Sequence, residues 1–368
     1  MSMPKKLQAL VILIMVLSIS VPIPFALSEE TVDTNEVLYF LKDVANVDVS
    51  RYEAKLFVNT SENWPELGGL SQITGQYDLE SEDSTINVLF TFIDNILTYC
   101  AIADVEGEIH QVEDLPADIK VQADVFLQRY QEYMGDSTIE AMRSLLDTVD
   151  VTKNGVKIEG NLKLEVTVDP ALTSLSWRGT SLTSLSWKDT FNGADYTRLS
   201  IGFRNGTFAA FLQDRSYRKI GGTEVNLSKE DAVDLALRYA KDLSWELPDG
   251  TKVTDFTIVE DKIGAQLLTQ PREPLTLYPY WLVILPLDKM YPGFITQIMF
   301  QVWADTGEVI TCTPLGQGGD VPMNVSPSIP DGGSTPSMDL MIFIIAATTA
   351  ILVVVVAVTI IAFKKKRK

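Results

Sequence analysis

Histidine is nearly missing from this 368-residue sequence, which has one, and cysteine occurs only twice. Zinc sets of the usual Cys/His kind cannot be assembled within one chain from so few ligands, and nucleophile triads built around histidine are not expected. Basic charge is scarce too: 30 Lys and Arg stand against 49 Asp and Glu, for a formal charge of −19. That balance excludes nucleic acid as an expected partner, because a phosphate backbone needs a basic footprint. There is no G-x-S-x-G nucleophile elbow and no D-x-[DN]-x-[DN]-G calcium loop. Apolar side chains are plentiful, at 46% against 21% charged, so a large core can be buried and general disorder is excluded.

The two ends differ from the body. Residues 1–28 carry Lys5 and Lys6, an apolar stretch from Leu10 to Val21, then Pro22, Pro24 and the small residues Ala26 and Ser28. That order predicts a secretory signal peptide cut after Ser28, since the apolar stretch is about half the ~20 residues a membrane-crossing helix needs. From Leu340 to Phe363 no residue is charged, and Lys364-Lys365-Lys366-Arg367-Lys368 follows at once. A transmembrane helix over 338–363 with a basic cytoplasmic tail at 364–368 is expected, which places the body outside the cell membrane. The Pro-, Gly- and Ser-rich stretch 313–337 reads as an unfolded stalk.

Between these ends the pattern predicts an α+β fold of repeated units, each a helix followed by an antiparallel β-meander. Capping-box spacings occur at Asp33/Glu36, Ser137/Glu140 and Ser228/Asp231, each before a helical apolar stripe. An additional helix is expected from about Asp118 to Met134. Gly107, Gly206 and Gly307 lie about one hundred residues apart, and each is expected to turn a hairpin with positive φ. The expected units are 29–115, 116–222 with a helix pair, and 223–312. In the third, Ala232, Ala236, Tyr239, Ala240 and Leu243 form one helical face. Tyr280 to Leu285, apolar throughout, reads as a central strand, and Gln297 to Trp303 as one more exposed on one side.

Three stretches of the third unit carry a resemblance: Leu227-Ser228-Lys229-Glu230-Asp231-Ala232, Tyr280-Trp281-Leu282-Val283-Ile284, and Val302-Trp303-Ala304-Asp305-Thr306-Gly307-Glu308-Val309. Together they resemble the PepSY family and its larger YcdB-like relatives, mainly over residues 227–312. The resemblance implies a helix packed on an antiparallel meander, and a non-catalytic extracytoplasmic module that modulates peptidases or envelope proteins.

Candidate site residues are few. Asp305-Thr306-Gly307 matches the aspartic-protease tripeptide, but Glu308 follows it and no second copy exists, so it reads as a turn. His110 reads as a surface residue. Cys100 and Cys312 are candidates for a disulfide, with two separate buried thiols as the other reading. The sequons at Asn59, Asn205, Asn226 and Asn324 are glycosylation candidates. Thr173-Ser174-Leu175-Ser176-Trp177 recurs as Thr183-Ser184-Leu185-Ser186-Trp187, so Trp177 and Trp187 are candidates for stacking on a sugar or peptide, although such a stripe is more often core.

No catalytic residue, metal or cofactor is expected. The sequence reads as a single-span cell-surface protein that binds an envelope protein or peptidase. The alternatives are a carboxylate-based surface hydrolase and a module that binds carbohydrate or peptide.

Overall fold

The computed structural model describes residues 34–63, 67–169 and 182–316. The expected signal peptide, the transmembrane segment, the basic tail and most of the stalk lie outside those residues. Among the described residues, no helix is long and apolar enough to cross a membrane.

The fold is mixed α+β, with mostly antiparallel sheets and four α-helices among the described residues. Helix α1 (Asn35–Asp43) leads into β1 (Glu53–Asn63), β2 (Ser71–Glu80), β3 (Thr85–Ile93) and β4 (Ile96–Glu106). Helices α2 (Ile119–Met134) and α3 (Ile139–Asp147) lead into β5 (Gly155–Glu159), β6 (Leu162–Asp169), β7 (Leu182–Phe191), β8 (Ala194–Arg204) and β9 (Thr207–Gln213). These strands form one nine-stranded sheet in the order β1-β2-β3-β4-β9-β8-β7-β6-β5. The seam is β4 against β9, with Cys100 opposite Phe211. The expected units 29–115 and 116–222 are therefore halves of one sheet, and their apolar faces share one core.

Alternation along the strands decides which face is covered. In β2, Ile73, Tyr77 and Leu79 are buried while Gln72, Thr74, Gln76 and Asp78 are partly exposed. The apolar face lies under the three helices, where Phe40, Phe126, Tyr130, Phe208 and Phe211 meet edge-on, stacked or tilted. The opposite face is mixed: on it Ser186 and Ser200 hydroxyls bond at 2.8 Å, and Val156 and Leu212 in the same row are exposed.

The second sheet contains β10 (Lys219–Ile220), β13 (Gly264–Glu273), β14 (Thr276–Tyr291), β15 (Ile295–Trp303) and β16 (Val309–Gly316). Helix α4 (Lys229–Lys241) covers it, and β11 (Trp245–Glu246) with β12 (Lys252–Val253) forms a small ribbon beside it. Ser228 caps α4 as expected, its Oγ accepting from the Asp231 N–H at 3.1 Å. The Ala232, Ala236, Ala240 and Leu243 stripe is buried against Val283, Leu285, Phe300 and Val302. Of the other capping boxes, Asp33 lies outside the described residues. At α3 the N-cap is Thr138, with no side-chain cap bond, and the Asp136 carboxylate bonds the Thr138 N–H instead.

Three further expectations need correction. Gly107 has φ +84° but turns no hairpin: its meander turns at Asp94-Asn95, and Gly107 is where the chain leaves β4. A Cβ there would collide with the Asp83 carbonyl oxygen, so a close approach of backbone also requires the glycine. Strand β14 is central, between β13 and β15, but its residues 280–285 are only alternately buried. In β15 even Gln301 is buried, because Leu282 and Thr311 flank it on the same face, so β15 is not the more exposed strand. Finally, β16 runs to Gly316, carrying sheet into the start of the expected stalk.

The two sheets meet through a small contact. Ala194, Tyr196 and Leu277 are buried together, and Tyr196 donates to the Gly222 carbonyl at 2.8 Å.

Candidate functional site

Among the described residues there is a solvent-open cavity of about 630 Å³. It lies between the β2–β3 turn, the stretch after β4 and the β8–β9 hairpin; Arg51, Asp83, His110, Asp114, Gln122 and Asn205 are among its lining. His110 is not the surface residue expected from the sequence. Its side chain is 10% exposed, its Nε2 lies 2.8 Å from Asp83 Oδ1, and its backbone N–H donates to the Tyr52 hydroxyl at 3.0 Å. The hydrogen bond from His110, helped by one from Ser81, holds the Asp83 carboxyl below its ordinary range.

Ser81, His110 and Asp83 thus come together, although a histidine-centred grouping was not expected. The geometry is not that of a proton relay. A relay needs the acid on one ring nitrogen and the nucleophile on the other. Here both Asp83 Oδ1 and Ser81 Oγ, at 3.4 Å, approach Nε2, and the serine hydroxyl already bonds the Ser84 carbonyl at 3.0 Å. The cluster pins the β2–β3 turn to the segment after β4.

Asp305 belongs to a second cluster, beside the start of α4. Arg272, on β13, donates to both Asp305 oxygens, at 2.9 and 2.5 Å. The guanidinium carbon lies 4.2 Å from the Trp303 ring centre and 4.6 Å from that of Tyr278. Partial burial pushes the Asp305 carboxyl up, but the Arg272 hydrogen bonds and charge outweigh it, leaving the group below its ordinary range. Around the turn, Ala304 accepts from the Asn226 and Leu227 N–H groups, and Trp281 Nε1 donates to the Leu227 carbonyl. The turn therefore clamps the start of α4 to the sheet. Arg272 is the residue that sequence reasoning missed; nothing in Gln270-Pro271-Arg272-Glu273 marks it as a partner of Asp305.

The other candidates separate. Trp187 is fully buried beneath α3, with Nε1 donating to the Met142 carbonyl at 3.1 Å, so its ring face is not available for stacking. Trp177 lies outside the described residues. Cys100 is buried in the core of the nine-stranded sheet and Cys312 in the core of the second sheet; both are free thiols, so of the two readings of this pair the structure has the separate buried thiols and not the disulfide. Burial raises both thiols, that of Cys312 to about 12, so neither is ionised near neutral pH. Asn205 is exposed at the tip of the β8–β9 hairpin, with φ +51° beside Gly206 at +79°. Asn226 is exposed as well, but its amide donates to the Asp305 carbonyl at 2.9 Å. Asn59 lies within β1, opposite Gly75, and Asn324 lies outside the described residues.

Among the described residues, no strand pairs with the outer side of β1 or of β5 in the nine-stranded sheet. In β1 the register slips between Leu56 and Val58, and Phe57 at that bulge is 62% exposed, next to Leu56 at 42%.

No family model and no curated protein matches the chain. Comparison with solved structures finds the Bacillus megaterium YpeB C-terminal domain at 8% identity, over 78% of this chain and 99% of that one, with a TM-score of 0.27.

Proposed function

We propose that the protein is a membrane-anchored extracytoplasmic binding module with a PepSY-like third unit, which engages and modulates a peptidase or another envelope protein. The observation that carries the binding reading is the β1 edge, where a bulge leaves Phe57 and Leu56 exposed on a strand that pairs with β2 on one side and, among the described residues, with no strand on the other. Exposed aromatic and aliphatic side chains at a sheet edge are the usual anchors of a protein interface. The open, polar form of the cavity agrees with this reading, since a small-molecule site is ordinarily more enclosed and more apolar. The PepSY-like part rests on the residues that resemble the family, now seen as a helix on an antiparallel meander with the Asp305 turn closing it. The location rests on the signal-like start, the uncharged stretch at 340–363 and the basic tail.

Two experiments test it. Protease added to intact cells should remove the body and leave the five-residue tail protected; a protected body would overturn the location. A pull-down from envelope extract, with wild-type protein and a Leu56→Asp/Phe57→Asp variant in parallel, should yield a partner that the variant loses. Equal recovery by the variant would overturn the assignment of the β1 edge.

A further inference from the structure

The other edge of the nine-stranded sheet is different in kind. Strand β5 is short and regular, and Val156 and Ile158 are 57% and 53% exposed. Its hairpin to β6 turns through two residues, Gly160-Asn161, with Glu159 opposite Leu162. In a two-residue hairpin the flanking pair exchanges both backbone hydrogen bonds, and bonded pairs then alternate along the ladder. Glu159, Lys157 and Gly155 therefore direct their N–H and C=O toward β6, whereas Val156 and Ile158 direct theirs outward. Among the described residues no strand meets that outward side.

We propose that β5 pairs antiparallel with β5 of a second copy, about a two-fold axis at Ile158. In that register Ile158 faces its own mate as a bonded pair, so the outward backbone groups of the two copies satisfy each other. Lys157 then faces Glu159 of the second copy, and Glu159 faces its Lys157. These are non-bonded pairs, in which cross-strand side chains come closest. Neither residue makes an ion pair among the described residues, so both charges are free for this use. Other registers lose the match. An axis at Lys157 opposes like charges through a residue whose backbone points inward. One at Val156 sets Lys157 against Gly155 and carries the ladder past the end of β5. The partner's strand would extend the sheet without a break, as an isologous contact requires.

The contact is small beside the roughly 800 Å² per partner of a stable interface, so a weak association is expected. Cysteine crosslinking of the full-length chain at high protein concentration tests it, with the wild-type chain, whose two thiols are buried, as the blank. Ile158→Cys should give a disulfide or short bis-maleimide dimer at twice the chain mass. Val156→Cys should give at least about fivefold less, because its two copies would stand four residues, or about 14 Å, out of step. Adding Glu159→Lys to Ile158→Cys should cut the dimer by about fivefold, since two opposite-charge pairs become like-charged. Adding Lys157→Glu as well should restore it. The proposal is overturned if Ile158→Cys gives no dimer, if both cysteine positions crosslink equally, if the double charge reversal fails to restore the yield, or if the crosslinked band contains a different protein.

Discussion

The two helix-covered sheets solve the same packing problem with opposite materials. Over the nine-stranded sheet, the contact of α1 and α2 with the strands is made by rings: Phe40 contacts Phe126, Tyr133, Phe208 and Phe211 at centroid distances of 4.8 to 6.2 Å. Over the second sheet, α4 presents the small side chains Ala232, Ala236 and Ala240, all buried, to Val283, Leu285, Phe300 and Val302 of the strands. In the first core the helices supply large side chains at the centre of the contact; in the second the strands supply the volume and the helix stripe is small. Truncation should therefore be the damaging change in one, and insertion in the other.

The largest expected effect is Phe40→Ala, which empties the centre of the aromatic cluster and should destabilise the nine-stranded unit by about 3–5 kcal/mol. Next, Ala236→Asp puts an unpaired carboxylate between α4 and the sheet and should cost about 3 kcal/mol or more. Among the described residues the sheets meet over a limited patch: Ala194, Tyr196 and Leu277, the partly buried Phe191, Ile220 and Leu267 around them, and hydrogen bonds such as Thr269 to the Asp195 carbonyl; hydrogen exchange should therefore report each loss mainly in its own unit. Uniform loss of protection across both sheets after either substitution would break the comparison.

A smaller effect is expected at the clamp. Arg272→Ala removes the paired hydrogen bonds and the stacking on Trp303 and Tyr278, and should cost about 2 kcal/mol by denaturant unfolding. The pH dependence follows from the direction of the Asp305 shift. Its folded pKa lies below the unfolded value, so its contribution is complete above the unfolded carboxyl pKa, near ~3.9, and is lost as pH falls through the folded one. Asp305→Asn should flatten the acid limb of the stability curve of the second sheet, and an unchanged limb would separate Asp305 from the acid sensitivity.

What was legible in the sequence was mostly local. The α4 cap, the alanine stripe, the Asn205-Gly206 turn and the inward Leu185 and Trp187 are decided within a few residues by helical or two-residue periodicity. What was not legible depends on pairing at a distance. No periodicity announces that β4 meets β9, so two expected domains were in fact one sheet. Nor does any local pattern bring His110 to Asp83, 27 residues earlier, or Arg272 to Asp305, 33 residues later. The sheet edges share this blindness: Phe57 reads as an ordinary apolar strand residue until the register slip beside it is seen.

The smallest expected effect concerns Gly307, in the clamp turn. It has φ +74°, and a Cβ placed there would meet nothing within 4 Å. The cost of a substitution at this position is therefore purely conformational, without the backbone collision that Gly107 would suffer. A β-branched residue tolerates positive φ badly, so Gly307→Val should cost on the order of 1 kcal/mol or more, with Gly307→Asn costing less because asparagine adopts this region more readily. Thermal unfolding of the two variants side by side distinguishes backbone strain from packing: equal destabilisation by Val and Asn would mean that the side chain meets a neighbour after all, and the turn would then constrain the sheet through contact as well as through φ.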